Sequence, residues 1–269
     1  MKLSFSTLGC PGKSYDEVLA MARDYGYQGI EIRGISGEMS PLKIPDFGLG
    51  FQQEAKKKAA AAGVKLIGFG SSAVFHDPDN FDDALADAKA CIDTAAALGM
   101  GFIRVFGDRI RPEDNEDEVI ARVASGIKQA CEYAEGTDVL VLHECHGNFN
   151  YARRLLKVAE LVDNPKYGII WDVCHSDKTY GDDFPVFYDA VKPLIKHVHF
   201  KDHHRLADGG IALCSTGEGD IPLKRILDTL EKDNYEGYIS LEWEKAWHKD
   251  LAEPEVEFPH FVQYMKSIL

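Results

Sequence analysis

The sequence predicts an α/β protein folded as a (β/α)8 TIM barrel, a single domain spanning residues 1–269. Three observations carry this expectation. Apolar periodicity switches between strand-like and helix-like eight times along the 269 residues. That length suits one barrel of about 250 residues, and no Pro/Ser-rich linker or charge block divides the chain. A doubly wound open sheet is the rival architecture. Its Gly-x-Gly-x-x-Gly turn is expected after the first strand, but the residues there are Leu8-Gly9-Cys10-Pro11-Gly12.

The elements follow in order. Lys2–Ser6 alternates as a short strand, and Ser14-Tyr15-Asp16-Glu17 is a capping box that opens a helix closed by Gly26. Gln28–Arg33 and Val64–Phe69 are the next strands, with Lys56-Lys57-Lys58 read as the solvated face of the helix between them. The Ala-rich Phe81–Leu98 stops at Gly99, and Gly101–Phe106 is the fourth strand. Pro112 suits the first turn of a helix over Glu113–Glu135. The remaining strands are Asp138–Glu144, Tyr167–Asp172, Ile195–Phe200 and Gly237–Glu242. A turn at Gly217-Glu218-Gly219-Asp220 leads into a helix over Ile221–Asp233, and Glu255–Leu269 closes the chain. Most strand runs are rich in Val, Ile, Leu or Phe, as expected for parallel strands covered on both faces.

Composition restricts the function. Thirty basic against 44 acidic residues give a formal charge of −14, which opposes docking on a phosphate backbone or an anionic membrane. Neither a nucleic-acid partner nor a membrane partner is expected. No run approaches the roughly 18 apolar residues of a membrane span, and Met1–Thr7 lacks the apolar stretch of a signal peptide, so a cytoplasmic location is expected. The six cysteines, Cys10, Cys91, Cys131, Cys145, Cys174 and Cys214, form no Cys-x-x-Cys pair and are expected as free thiols.

In such a barrel the chemistry sits where the strands end. The last four strands end in metal-ligand types: Glu144, Asp172, His199 and Glu242. Side chains alternate along a strand, so an inward Glu144 turns His143 and Cys145 outward, and His197 shares a face with His199. Carboxylates converging on one mouth repel one another unless a cation joins them. Mostly oxygen donors with one nitrogen suit one divalent ion, Mn²⁺, Mg²⁺ or Co²⁺, with Zn²⁺ as a further candidate. Such an ion could hold neighbouring substrate oxygens while carboxylates on either side remove and return a proton. Taken singly, Glu31 and Arg33 read as an internal ion pair, and His76 and His146 as loop residues. Glu244 shares a face with Glu242, and Trp243 and Trp247 either line the mouth or cover the helix ring.

At Glu144-Cys145-His146-Gly147, Trp171-Asp172-Val173-Cys174-His175, His197-Val198-His199-Phe200-Lys201-Asp202, Gly217-Glu218-Gly219-Asp220-Ile221 and Ser240-Leu241-Glu242, the sequence resembles the xylose isomerase-like TIM-barrel superfamily. It looks most like the sugar isomerase/epimerase branch that holds ketose 3-epimerases, hydroxypyruvate isomerase and the inosose isomerase and dehydratase enzymes. The resemblance implies that Glu144, Asp172, His199 and Glu242 bind one divalent metal and that Glu144 and Glu242 are the catalytic acid/base pair. It implies further that His175, Arg205 and His146 contact substrate, and that the chain assembles as a homo-oligomer.

The implied activity is isomerisation or epimerisation of a small carbohydrate through an enediolate. Glu218 and Asp220 make the loop after the seventh strand acidic, which favours a non-phosphorylated ketose, polyol ketone or hydroxy-keto acid. A lyase or dehydratase using the same residues is the nearest alternative. An endonuclease IV-like nuclease fits the charge poorly, and a catalytically silent binding protein would lack metal affinity.

Overall fold

Eight parallel strands close a barrel in the computed structural model, which describes residues 1–269. They are β1 (Lys2–Ser6), β2 (Gly29–Ile32), β3 (Lys65–Val74), β4 (Phe102–Phe106), β5 (Leu140–Glu144), β6 (Tyr167–Asp172), β7 (Ile195–Phe200) and β10 (Tyr238–Leu241). Around the barrel the order is β1-β10-β7-β6-β5-β4-β3-β2, with every sequential neighbour parallel as helical crossovers require.

The helices are α1 (Tyr15–Tyr25), α2 (Gln52–Ala61), α3 (Phe81–Leu98), α4 (Glu116–Tyr133), α5 (Ala152–Val162), α6 (Val173–Tyr180), α7 (Phe184–Val191), α8 (Leu223–Lys232) and α9 (Pro254–Ile268). Ser14 and Glu17 form the expected capping box on α1, and Gly26 ends it in the left-handed conformation. α4 corrects the expectation at Pro112. Asn115 accepts hydrogen bonds from the Asp117 and Glu118 N–H groups and starts the helix, leaving Pro112 in the preceding turn. β3 runs to Val74, beyond the expected Phe69.

One excursion was not anticipated. After β7 the chain forms an antiparallel hairpin, β8 (Asp202–Arg205) with β9 (Ile211–Cys214), outside the barrel. Most buried apolar side chains form one core cluster, which fills the layer between strands and helices. A small separate cluster of Ile67, Phe102, Leu142 and Ile170 includes residues that share strand faces with Arg104, Glu144 and Asp172, so it plugs the barrel beneath them. All six cysteines are free, and no helix is long and apolar enough to cross a membrane.

Candidate active site

The strand ends converge as the alternation requires. Ligand atoms of Glu144, Asp172, His199 and Glu242 lie within 4.8 Å of one another, and all four residues are buried. His199 Nδ1 is 2.9 Å from Glu144 Oε1 and 3.4 Å from Glu242 Oε1. Its other nitrogen, Nε2, is 2.9 Å from Glu31 Oε2, which also lies 3.1 Å from His197 Nε2. Glu31 is therefore paired with two histidines and not with Arg33, correcting the ion pair read from sequence. His143 and Cys145 face the outer layer, where the His143 ring lies 5.3 Å from that of Phe149.

Two cations enter this cluster. Arg104, in β4, places Nη1 3.2 Å from both Glu144 Oε2 and Glu242 Oε1. Lys201 places Nζ 2.8 Å from Asp172 Oδ2, 2.5 Å from Glu242 Oε2 and 2.6 Å from Glu244 Oε1. Neither stands among the residues that the strand-end pattern singles out. The usable signal was periodicity: Lys201 lies two residues beyond His199, and Arg104 is a charge inside an otherwise apolar strand.

These neighbours set the ionisation. Burial opposes charge on Glu144 and Glu242, and on Glu144 the Glu242 carboxylate adds to it. Arg104 and His199 outweigh this at Glu144, while Lys201, His199 and Arg104 do so at Glu242, so both pKa values lie below the ordinary carboxylate range. At Asp172 burial wins, even against Lys201, and its pKa is pushed up to about 6. Burial also opposes charge on His199, but Glu31, Glu242 and Glu144 raise its pKa well above the ordinary imidazole value.

A divalent cation fits this donor set. Five buried or half-buried carboxylates, on Glu31, Glu144, Asp172, Glu242 and Glu244, face three cations, Arg104, Lys201 and the protonated His199. Glu144 Oε2 and Asp172 Oδ2 are buried and meet only the ion-pairing nitrogens of Arg104 and Lys201, without hydrogen-bond geometry. That leaves them free to coordinate, and a mostly oxygen set with one imidazole nitrogen matches a hard or borderline ion.

Above the cluster opens a cavity of about 250 Å³ lined by Arg33, Arg104, Glu144, His146, His175, Lys201, Glu242 and Glu244, among others. Pockets for drug-sized ligands occupy roughly 300–1,000 Å³, so this one suits a single monosaccharide. His175 donates its backbone N–H to Asp172 Oδ1 at 3.0 Å, and burial holds its pKa well below the ordinary value. The His146 ring is 4.2 Å from that of His175, and its Nδ1 is 2.9 Å from Asp108 Oδ1. Burial disfavours a charged His146, but Asp108 and Glu144 prevail and raise its pKa.

Gly147, at φ +55°, permits this pairing, because a Cβ there would sit 2.3 Å from the Asp108 carbonyl oxygen. Arg205 lies apart from the cavity on the hairpin. Its guanidinium donates to Asp177 at 3.0 and 2.6 Å. Trp247 lines the mouth, whereas Trp243 is buried and donates to the Ala252 carbonyl at 2.9 Å.

With this geometry in place, a model of the xylose isomerase-like TIM barrel family matches residues 19–267. The chain belongs to that family. Fructoselysine 3-epimerase of Shigella flexneri is 25% identical to it over 257 residues, covering 90% of each chain. Among solved structures, the IOLI protein with a binding zinc atom superposes with a TM-score of 0.80 at 17% identity, over 100% of this chain and 99% of that one. The probable 3-DHS dehydratase AsbF of Bacillus anthracis does so with a TM-score of 0.78 at 17% identity, over 99% of both. The chain is an enzyme of the isomerase and epimerase kind.

Proposed function

We propose that the chain is a divalent-metal-dependent epimerase or isomerase of a small, non-phosphorylated keto sugar, polyol ketone or hydroxy-keto acid. The observation that carries this reading is the placement of Glu144 and Glu242 on either side of Arg104 and His199 at the floor of a monosaccharide-sized cavity. Glu144, Asp172, His199 and Glu242 would hold the ion, of which Mn²⁺, Mg²⁺, Co²⁺ and Zn²⁺ are the candidates. When bound, the ion supplies Lewis-acid polarisation of a carbonyl.

The chain's own groups account for the remaining chemistry. One glutamate removes the proton alpha to the carbonyl and the other returns one to the opposite side. Arg104 and Lys201 are fixed positive charges beside the developing enediolate, where preorganised charge is worth most. His175 and His146 contact substrate oxygens from the wall. Arg205 reaches substrate only by exchanging its pairing with Asp177. The net charge of −14 supports a small-molecule enzyme and not a nucleic-acid or membrane binder.

The test is proton exchange from deuterated solvent into a panel of keto sugars. Glu144→Gln and Glu242→Gln should each lose exchange by at least about 100-fold, the lower range for a positioned acid/base group, while the far-ultraviolet circular dichroism is kept. Full exchange in either variant removes that residue from the acid/base pair.

A second reading is favoured by the His146–Asp108 pair. A basic imidazole beside the same cavity is placed to give a proton to a departing hydroxyl, which turns the same carbanion chemistry into dehydration. Loss of one water in the product mass would establish it over epimerisation.

A further inference from the structure

Arg33 follows β2 and is fixed at its backbone, where its N–H donates to Thr7 Oγ1 at 2.8 Å. Its side chain runs into the mouth cavity and is only 8% exposed as a residue. Nη2 donates to Ser72 Oγ at 3.1 Å, while Nη1 is buried with no partner. The other two permanent cations of the lining, Arg104 and Lys201, are taken by carboxylates of the cluster. No carboxylate pairs with Arg33, and the neighbouring Asp87 is engaged by the Ser72 N–H at 2.7 Å.

The passage for this side chain is built into β3. A Cβ at Gly70 would lie 2.8 Å from Arg33 Cδ, so a residue without a side chain stands where the arginine stem crosses the strand. A buried guanidinium with a free N–H and no directly paired carboxylate, only the more distant charges of Asp87 and Glu242, is costly. A ligand that brings an anion relieves that cost. A neutral hydroxyl would fill the hydrogen bond and leave the charge without a direct ion pair. A dianionic phosphate would face the cluster's carboxylates with one free cation to meet it. A carboxylate matches both the single charge and the planar donor fork.

We propose that the guanidinium of Arg33, which lines the cavity, receives a substrate carboxylate, so that the substrate class is a keto sugar acid and not a neutral ketose. This rests on the proton-transfer chemistry proposed for the same cavity, and it names the substrate class of that reaction.

The binding test needs no turnover. D-Gluconate, which has no ketone to react, is titrated calorimetrically into the metal-loaded protein beside neutral sorbitol and glucose 6-phosphate. Gluconate should bind at least about tenfold more tightly than sorbitol. Arg33→Gln should erase that preference and Arg33→Lys should keep part of it. Equal binding of gluconate and sorbitol, tighter binding of glucose 6-phosphate, or a preference unchanged in Arg33→Gln each overturns the proposal. If Arg33→Gln is poorly folded, a gluconate preference unchanged in Arg33→Lys does the same, because a flexible point charge does not reproduce a planar fork.

Turnover separates this inference from the reaction on which it rests. In the exchange assay a keto acid such as 5-keto-D-gluconate should exceed D-fructose at least about tenfold in kcat/KM, with the difference in KM and abolished by Arg33→Gln. Arg33-dependent gluconate binding without exchange into any keto sugar leaves the carboxylate site standing and removes the reaction. Full exchange into neutral ketoses, independent of Arg33, keeps the reaction and removes the carboxylate site.

Discussion

Glu31 holds His199 from the barrel interior, with Oε2 2.9 Å from His199 Nε2. An ionised carboxylate only accepts hydrogen bonds, so Nε2 carries the hydrogen and Nδ1 is the atom turned toward Glu144 and Glu242. This is the carboxylate–imidazole arrangement that orients a metal-binding histidine, and its loss typically costs 10–100-fold in affinity. Glu31→Gln, which keeps the volume and removes the charge, should therefore weaken divalent-metal binding about 10–100-fold while the fold persists. Competition with a metallochromic indicator measures it, and an unchanged affinity would show that His199 needs no such support.

Arg104 is the second test of the cluster's charge balance. It is 3% exposed, bridges Glu144 and Glu242 at 3.2 Å each, and lies 4.3 Å from the Phe106 ring centre. Taking one partner from a buried ion pair commonly costs about 3–5 kcal/mol, so Arg104→Gln should unfold at lower urea in the presence of chelator. A divalent ion held as proposed would offset the same two carboxylates, so saturating Mn²⁺ should stabilise the variant more than the parent. Equal Mn²⁺ effects on both would show that Arg104 and the ion do not share these carboxylates.

The barrel was legible because each parallel strand is a short apolar run between helical segments. The quartet of Glu144, Asp172, His199 and Glu242 was legible because ligand-type residues close four successive runs. What escaped notice depends on barrel closure, which sequence neighbours do not report. Glu31 and Arg33 share a face of one strand and so read as partners, yet Glu31 pairs with His197 and His199, 166 and 168 positions away. Arg104 gives no strand-end signal, because this cation sits within its strand, two residues before the end of β4. The β8–β9 hairpin was missed because its four-residue strands include exposed, polar positions and carry little apolar alternation. That hairpin is what places Arg205 beside Asp177 instead of in the mouth.

Asp202 gives the glycine-bearing loop after the hairpin its shape. Its carboxylate accepts from the backbone N–H groups of Gly217, Gly219, His203 and Ile221 at 2.9, 3.0, 2.9 and 3.3 Å. The loop amides thus surround an anion the protein itself supplies, and a Cβ on Gly219 would sit 2.2 Å from Asp202 Oδ1. Asp202→Ala leaves these donors to water or to nothing. Charged hydrogen bonds contribute about 1.5–3 kcal/mol each without adding fully, so a loss of roughly 3 kcal/mol is expected in urea unfolding. Amide hydrogen exchange at Gly217 and Gly219 should quicken with it. A variant of parental stability with protected amides would show that the loop holds itself.

His143 should make the folded state acid-sensitive. It is fully buried on the outer face of β5, with Nδ1 3.4 Å from the Tyr167 hydroxyl and Nε2 unpartnered. Burial lowers its pKa from 6.5 to about 3. Between those values the unfolded chain binds a proton there that the folded chain does not, so stability rises with pH across the window. The contribution is fully present above pH 6.5 and is lost as the pH falls toward 3. At pH 5 the loss amounts to about 2 kcal/mol, at 1.36 kcal/mol per pH unit. His143→Phe fills much the same space and has no proton to bind, so from pH 7 to pH 5 the parent should lose about 2 kcal/mol more than the variant. Urea unfolding at the two pH values measures the difference, and parallel losses would mean that His143 takes up its proton in the folded barrel as readily as in the unfolded chain.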